Sequence, residues 1–266
     1  MILALVQSAI DYEDKLHNLE KAEQFVRYAS NYNADLVLFP EMSFTGFSMR
    51  KDFTGETDTF TLDHMLQLAN LNHIAIGFGW VSLSTERKNT KAENHYTIIS
   101  HDNKVLLDYV KCHPFSYAGE NDYFFAGQSI EFASFKNFMI STAICYDLRF
   151  PELFQIISKK ADFIVVPANW PKARSEHWIT LLRARAIENQ CYIAGINCTG
   201  KMNGLVYSGQ SMVFDPNGDC LLDLGEKETV QFIQIHNDVE QYREIFPVKL
   251  DRREAFYYNL SSMGKK

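Results

Sequence analysis

Ser141-Thr-Ala-Ile-Cys-Tyr-Asp-Leu-Arg-Phe-Pro-Glu-Leu153 is the stretch on which the reading of this chain turns. An apolar run from about Phe138 leads into Cys145, and Pro151 opens a helix-like segment reaching about Lys160. Proline suits a first helical turn, where its missing N–H would be unpaired in any case. The pattern predicts a strand-to-helix corner that holds Cys145 at a sheet edge, with the next backbone N–H facing outward. In such a setting a thiolate becomes a nucleophile. A free cysteine is equally at home as a small core residue, so this stretch alone leaves both readings open.

Outward from the corner, strand and helix signals alternate. Residues 2–7 read as a strand. Residues 12–32 read as a helix whose Leu16, Leu19, Ala22, Phe25, Val26 and Ala29 repeat at three and four. The almost continuous apolar run 35–41 suits a strand covered on both faces, and it ends in the carboxylate of Glu41. A helix over 61–71, a strand over 74–82 and a polar patch over 84–93 follow. Strands at 94–100 and 105–111 form a hairpin around Asp102-Asn103. The aromatic stretch 112–127 reads as a long, functional loop. Beyond the corner come a strand at 162–167, a helix over 175–190 with Ser175 as N-cap, and strands at 192–198, 209–214 and 230–236. Asp215-Pro-Asn-Gly218 is a turn. A short helix at 239–246 and a charged tail from Lys249 close the chain. No linker or repeat divides it, which predicts a single α/β domain over residues 1–266.

Composition narrows the function classes. The chain has 266 residues, 46% of them apolar, and its 26 basic and 33 acidic residues give a net charge of −7. No basic face is written into it, so a nucleic-acid backbone is not an expected partner. Met1-Ile-Leu-Ala-Leu-Val6 lacks a basic n-region and reads as a first strand, not a signal peptide. No apolar run approaches the ~18 residues of a membrane span. Five scattered cysteines, at 112, 145, 191, 198 and 220, predict reduced thiols in a cytoplasmic protein.

Three strand-like runs end in a reactive side chain: Glu41, Lys111 and Cys145. Ligands in α/β folds gather beyond the carboxyl ends of strands. The three chemistries are also mutually useful, since a carboxylate can take a thiol proton and an ammonium can hold an oxyanion. Cys112 and His113 fall short of the three or four ligands a metal needs, so no metal is expected and His113 reads as ordering its loop. A papain-like pair of Cys145 with His113 or His177 is the chemical rival. Cys191 and Cys198 read as core.

Phe39-Pro-Glu-Met42, then Tyr109-Val-Lys-Cys-His-Pro114 with Gly119-Glu120, then Ile144-Cys-Tyr-Asp-Leu-Arg-Phe-Pro-Glu152 together resemble the three ordered motifs of the nitrilase superfamily, the carbon–nitrogen hydrolases. The resemblance runs to about Pro247. It implies a four-layer α-β-β-α sandwich, no cofactor, and homodimers, with the tail from about 247 at an interface. It also implies Glu41 as general base, Lys111 as transition-state stabiliser, Cys145 as nucleophile and Glu120 as the glutamate that positions Lys111 and substrate. Lys111 is expected to favour the Cys145 thiolate, and the Tyr146 N–H to help hold the oxyanion. Pro167-Ala-Asn-Trp-Pro-Lys-Ala-Arg174 and Leu182-Arg-Ala-Arg-Ala-Ile-Glu-Asn189 are most similar to the bacterial omega-amidase-like branch, which acts on 2-oxoglutaramate or 2-oxosuccinamate. Deaminated glutathione amidase is the alternative branch. Arg174 is the expected carboxylate ligand, with Trp170 and Phe44 as apolar walls, and Arg149, Arg183 and Arg185 as structural ion pairs. A non-catalytic scaffold of the same fold and a synthetase-type glutaminase are the competing classes.

Overall fold

The computed structural model describes residues 1–83 and 91–263. The polar patch expected at 84–93 lies outside the described residues except for its last three, as do the final three residues of the tail. In chain order the first strands are β1 (Ile2–Gln7), β2 (Leu36–Leu38), β3 (Ala75–Leu83), β4 (Ala92–Ile99) and β5 (Val105–Val110). Next come β6 (Phe132–Phe135), β7 (Phe138–Thr142), β8 (Phe163–Ala168) and β9 (Tyr192–Asn197). The last are β10 (Thr199–Met202), β11 (Leu205–Ser208), β12 (Met212–Phe214), β13 (Cys220–Asp223) and β14 (Thr229–Gln234). The helices are α1 (Lys15–Asn31), α2 (Lys51–Thr54), α3 (Phe60–Asn72) and α4 (Glu120–Tyr123), then α5 (Pro151–Ile157), α6 (Ser175–Asn189), α7 (Val239–Ile245) and α8 (Glu254–Met263).

Two six-stranded sheets result, in the orders β14-β1-β2-β3-β4-β5 and β13-β12-β9-β8-β7-β6. Each has a parallel centre, β1-β2-β3 and β7-β8-β9, flanked by antiparallel strands. The near-continuous apolar runs of the central strands have a direct cause, because both faces are covered. Leu3, Leu5 and Leu38 of one sheet meet Ile140, Phe163 and Val165 of the other in an inner core. The opposite face of the first sheet packs Val37, Ile76 and Phe78 against Leu19, Val26 and Met65 of α1 and α3. The second sheet packs Ile164 and Val166 against Phe154, Trp178 and Leu182 of α5 and α6. The layers are therefore α-β-β-α, the sandwich that the motifs implied. Each such fully buried large side chain contributes about 1.5–3 kcal/mol relative to an exposed one. Among the described residues no helix is long and apolar enough to cross a membrane.

Several local expectations change. Leu16 is 64% exposed, because α1 starts at Lys15 and its first turn projects past the sheet. Ser175 has helical backbone angles and lies inside α6, with its hydroxyl on the Lys172 carbonyl, so it does not cap the helix. The stretch 112–127 holds a 3₁₀ turn and α4. β7 stops at Thr142, and a 3₁₀ turn over Cys145–Arg149 stands between it and α5.

Candidate active site

The strand ends gather at one edge of the sandwich. Glu41 follows β2, Lys111 follows β5, Cys145 lies just beyond β7 and Asn169 follows β8. The backbone at Glu41 and Met42 can approach β3 this closely because residue 79 is glycine. A Cβ there would sit 2.4 Å from the Met42 nitrogen. Cys145 has φ +49°, an uncommon conformation for a residue with a side chain, and such strain persists only where neighbours over-determine it. Here the buried Asp147 carboxylate does so. It accepts the Ile144 N–H at 2.9 Å, the Tyr109 hydroxyl at 2.8 Å and the His113 N–H at 2.9 Å, with His113 Nδ1 at 2.7 Å. The corner is thereby tied to the loop that follows Lys111.

Beneath Cys145, Lys111 Nζ donates to Glu41 Oε1 at 2.8 Å and to Glu120 at 2.8 and 3.1 Å. All three side chains are at most 1% exposed. Asn169 donates its backbone N–H to Glu41 Oε2 at 3.0 Å and its Nδ2 to the Glu41 carbonyl at 2.7 Å. Burial works to raise the Glu41 carboxyl, but the Lys111 ammonium and the Asn94 amide outweigh it and hold the group below its ordinary range. Burial works to lower Lys111, and Glu120 and Glu41 reverse that strongly. Glu120 ends above its ordinary range, through burial and the nearby Glu41 charge against the pull of Lys111.

The expected pull of Lys111 toward the Cys145 thiolate is present but outweighed. Burial first and the Glu41 carboxylate second push the Cys145 thiol well above its ordinary value, against the weaker opposing effect of Lys111. The resting cluster is a carboxylate at Glu41, an ammonium at Lys111 and a thiol at Cys145 hydrogen-bonded to Glu41.

Cys145 opens into a cavity of about 280 Å³, small-molecule sized, which Tyr146, Trp170 and Arg174 also line. Phe44 does not reach it. It is 2% exposed and packs between Phe39 and Phe78 in the outer core, and Phe47, Met49 and Phe115 supply the apolar wall instead. Arg149 is a second correction, for it lines the cavity over the Trp170 ring at 4.8 Å rather than forming an ion pair. Burial and the adjacent Arg174 cation lower its pKa. Arg174 lies over Phe115, and among the described residues neither guanidinium has a carboxylate partner. Arg185 does pair with Glu188, while Arg183 rests over Phe214.

The rival histidines are engaged elsewhere. His113 binds Asp147 and stacks on Phe150 at 3.8 Å, and His177 Nδ1 lies 3.2 Å from Arg149. Cys191 and Cys198 are buried core residues, as read. Among the described residues no three metal-ligating side chains converge. Sequence reading missed Asn94, Asp147 and Asn169, which hydrogen-bond Glu41, Glu120 or the Cys145 corner.

The Carbon-nitrogen hydrolase family model matches residues 2–244. The chain is 32% identical to a 2-oxoglutaramate amidase of Bacillus subtilis (strain 168), over 96% of this chain and 98% of that one. It is 33% identical to omega-amidase YafV of Yersinia enterocolitica, over 92% and 94%. A CN-hydrolase superfamily protein of Xanthomonas campestris, solved with an arsenic adduct in its active site, shares the fold with a TM-score of 0.87 at 29% identity, over 95% of this chain and 97% of that one. With its sandwich, its clustered Glu41, Lys111 and Cys145 and these relatives, the chain belongs to the carbon–nitrogen hydrolase family, the nitrilase superfamily of hydrolases that cleave carbon–nitrogen bonds.

Proposed function

We propose that this protein is an omega-amidase, which hydrolyses the terminal carboxamide of a small 2-oxo dicarboxylic acid monoamide, such as 2-oxoglutaramate or 2-oxosuccinamate, to the acid and ammonia. One observation carries the substrate class: the cavity that Cys145 opens into is small and presents two guanidiniums, Arg149 and Arg174, without carboxylate partners among the described residues. An amide bearing a carboxylate at its far end fits that arrangement, since a guanidinium fork holds a carboxylate bidentately. Trp170 forms an apolar wall. The named activities of the relatives point the same way.

In this reading Cys145 attacks the carboxamide carbon as its proton passes to Glu41. Lys111 and the Tyr146 N–H hold the oxyanion, and Glu120 keeps Lys111 in place. Glu41 gives the proton to the departing nitrogen, the C–N bond breaks and ammonia leaves a thioester on Cys145. Glu41 then takes a proton from water, which adds to the thioester, and returns it to the sulfur as the acid departs. The protein further reads as a homodimer, paired through its C-terminal segment, in a reducing compartment where five free thiols persist.

Ammonia release from 2-oxoglutaramate, 2-oxosuccinamate, deaminated glutathione, glutamine, asparagine and a simple nitrile tests the substrate class. The first two are expected to lead by at least tenfold in kcat/KM. Cys145→Ala should abolish release while the protein stays folded. Arg149→Gln and Arg174→Gln should each raise KM for 2-oxoglutaramate about 10–100-fold, from the loss of a charged hydrogen bond. Preference for glutamine or a nitrile would overturn the substrate class, and turnover by Cys145→Ala would overturn the nucleophile.

A further inference from the structure

Asn94 occupies the third position of β4 and is 1% exposed. It lies one register step beyond the antiparallel His95–Val110 pair, directly across from Lys111, and its carbonyl oxygen accepts the Lys111 N–H at 2.9 Å. Its side chain points into the cluster, where Nδ2 donates to Glu41 Oε1 at 2.9 Å and to Glu120 Oε1 at 3.2 Å. One residue thus touches Glu41, Glu120 and Lys111 together.

The charges explain why an amide belongs there. Two carboxylates on one ammonium leave an excess negative charge in a water-free site, and like charges at that range drive one carboxylate toward its acid form. A Glu41 that already holds a proton cannot take another from Cys145. A primary amide carries two N–H groups on one neutral nitrogen, so it can give one to each carboxylate without adding charge. Serine has a single O–H, and lysine or arginine would add a second cation. The opposite amide orientation would set Oδ1 against both carboxylates, so the hydrogen-bond network itself fixes the assignment. Asn94 Oδ1 has no partner among the described residues. Leaving a buried acceptor unpaired is unfavourable, and here the residue is held by what its nitrogen donates.

We propose that Asn94 is a positioning residue of the hydrolytic site, whose amide bridges Glu41 and Glu120 across Lys111 and keeps Glu41 free to accept the Cys145 proton. This inference rests on the reading of Glu41 as the general base. Asn169 supports the other carboxylate oxygen of Glu41 from just beyond β8, so Asn94 is the support that also reaches Glu120.

The test is the pH dependence of kcat/KM for 2-oxoglutaramate in the native enzyme, Asn94→Ala, Asn94→Ser, Asn94→Asp and Glu41→Gln, each first shown to be folded by near-UV circular dichroism. A hydrogen bond to the charged form lowers a carboxyl pKa, so its loss raises the pKa. The acid limb should therefore move up by roughly one pH unit in Asn94→Ala, less in Asn94→Ser and further in Asn94→Asp. kcat should fall about 10–100-fold with KM within about threefold. A folded Asn94→Ala with an unmoved acid limb overturns the proposal. Should that variant not fold, Asn94→Asp keeps the side chain's shape and decides by the same criterion. Native-like turnover by Glu41→Gln would overturn the reading of Glu41 itself, a distinct result.

Discussion

Cys145 is pulled in opposite directions by its two neighbours. The Glu41 carboxylate raises the thiol pKa through its charge and through the hydrogen bond it accepts, while Lys111 lowers it. Neutralising Glu41 leaves Lys111 unopposed. Glu41→Gln should therefore lower the apparent thiol pKa by one unit or more and speed iodoacetamide alkylation of Cys145 several-fold at neutral pH, even as turnover collapses. Alkylation rates measured against pH in the two proteins check this, and a thiol pKa that rises in Glu41→Gln would sink the account. Glu41, Lys111 and Cys145 were legible in the sequence because each stands after an apolar run, where a charge or thiol is conspicuous, whereas Glu120 came only with the motif resemblance. Asn94, Asn169 and Asp147 were not, since asparagine in a hairpin and aspartate before a helix are ordinary surface residues until the fold buries them. Phe44 failed as a wall for a simpler reason. An aromatic residue three positions from a reactive one carries no sign of which face it takes, and Phe44 turns to the core while Phe47 turns to the cavity.

Three strands share a second charged cluster, one register step from Asn94. His95 on β4 lies against Asp108 on β5, with Nδ1 3.1 Å from either oxygen, against Ser82 on β3 at 2.9 Å, and near Glu93 at 3.5 Å. Burial works to lower its pKa, but Asp108 and Glu93 outweigh it and the imidazole is pushed up to about 9. A folded pKa above the unfolded value of roughly 6.5 contributes stability that is fully present below about pH 6.5 and lost as pH rises through 9. The whole shift corresponds to roughly 3 kcal/mol. The carboxylates are 40% and 47% exposed, so screening brings the contribution nearer 1–2 kcal/mol. Urea unfolding at pH 6 and pH 9.5 should show that loss in the native protein and little of it in His95→Gln. Equal pH slopes in the two proteins would refute the assignment. Element positions were largely legible, because buried parallel strands write continuous apolar runs and α1 repeats at three and four. What escaped was short or glycine-interrupted: β6, β13 and the β10–β11 hairpin, each of only four residues per strand. Such pieces are set by pairing with a neighbour rather than by their own pattern.

At the scale of the molecule, local periodicity pointed to one layered sheet, and the second sheet came only with the motif resemblance. Two sheets of similar composition differ in which strands pair, which is a long-range property that local pattern does not record. The C-terminal segment is where the described chain remains unfinished as a surface. Ile245, Phe246, Leu250 and Tyr258 are 84%, 68%, 85% and 74% exposed. The family model stops at 244, where this apolar run begins. Exposed apolar side chains gathered in one segment are what an interaction site presents, and the homodimer proposed above would bring two copies of this segment together across a two-fold axis. Lys159 pairs with Glu254 and Arg243 reaches the Ser158 and Ala161 carbonyls, so the segment is anchored to its own body and presents its apolar side outward. In sedimentation equilibrium the intact chain should run at twice its chain mass. A chain ending at Phe246, and separately the point variant Leu250→Glu, should shift toward the monomer by at least tenfold in dissociation constant. Because Leu250 is so exposed, Leu250→Glu should retain a folded core by near-UV circular dichroism. A dimer of undiminished affinity in both proteins would place the interface elsewhere on the sandwich.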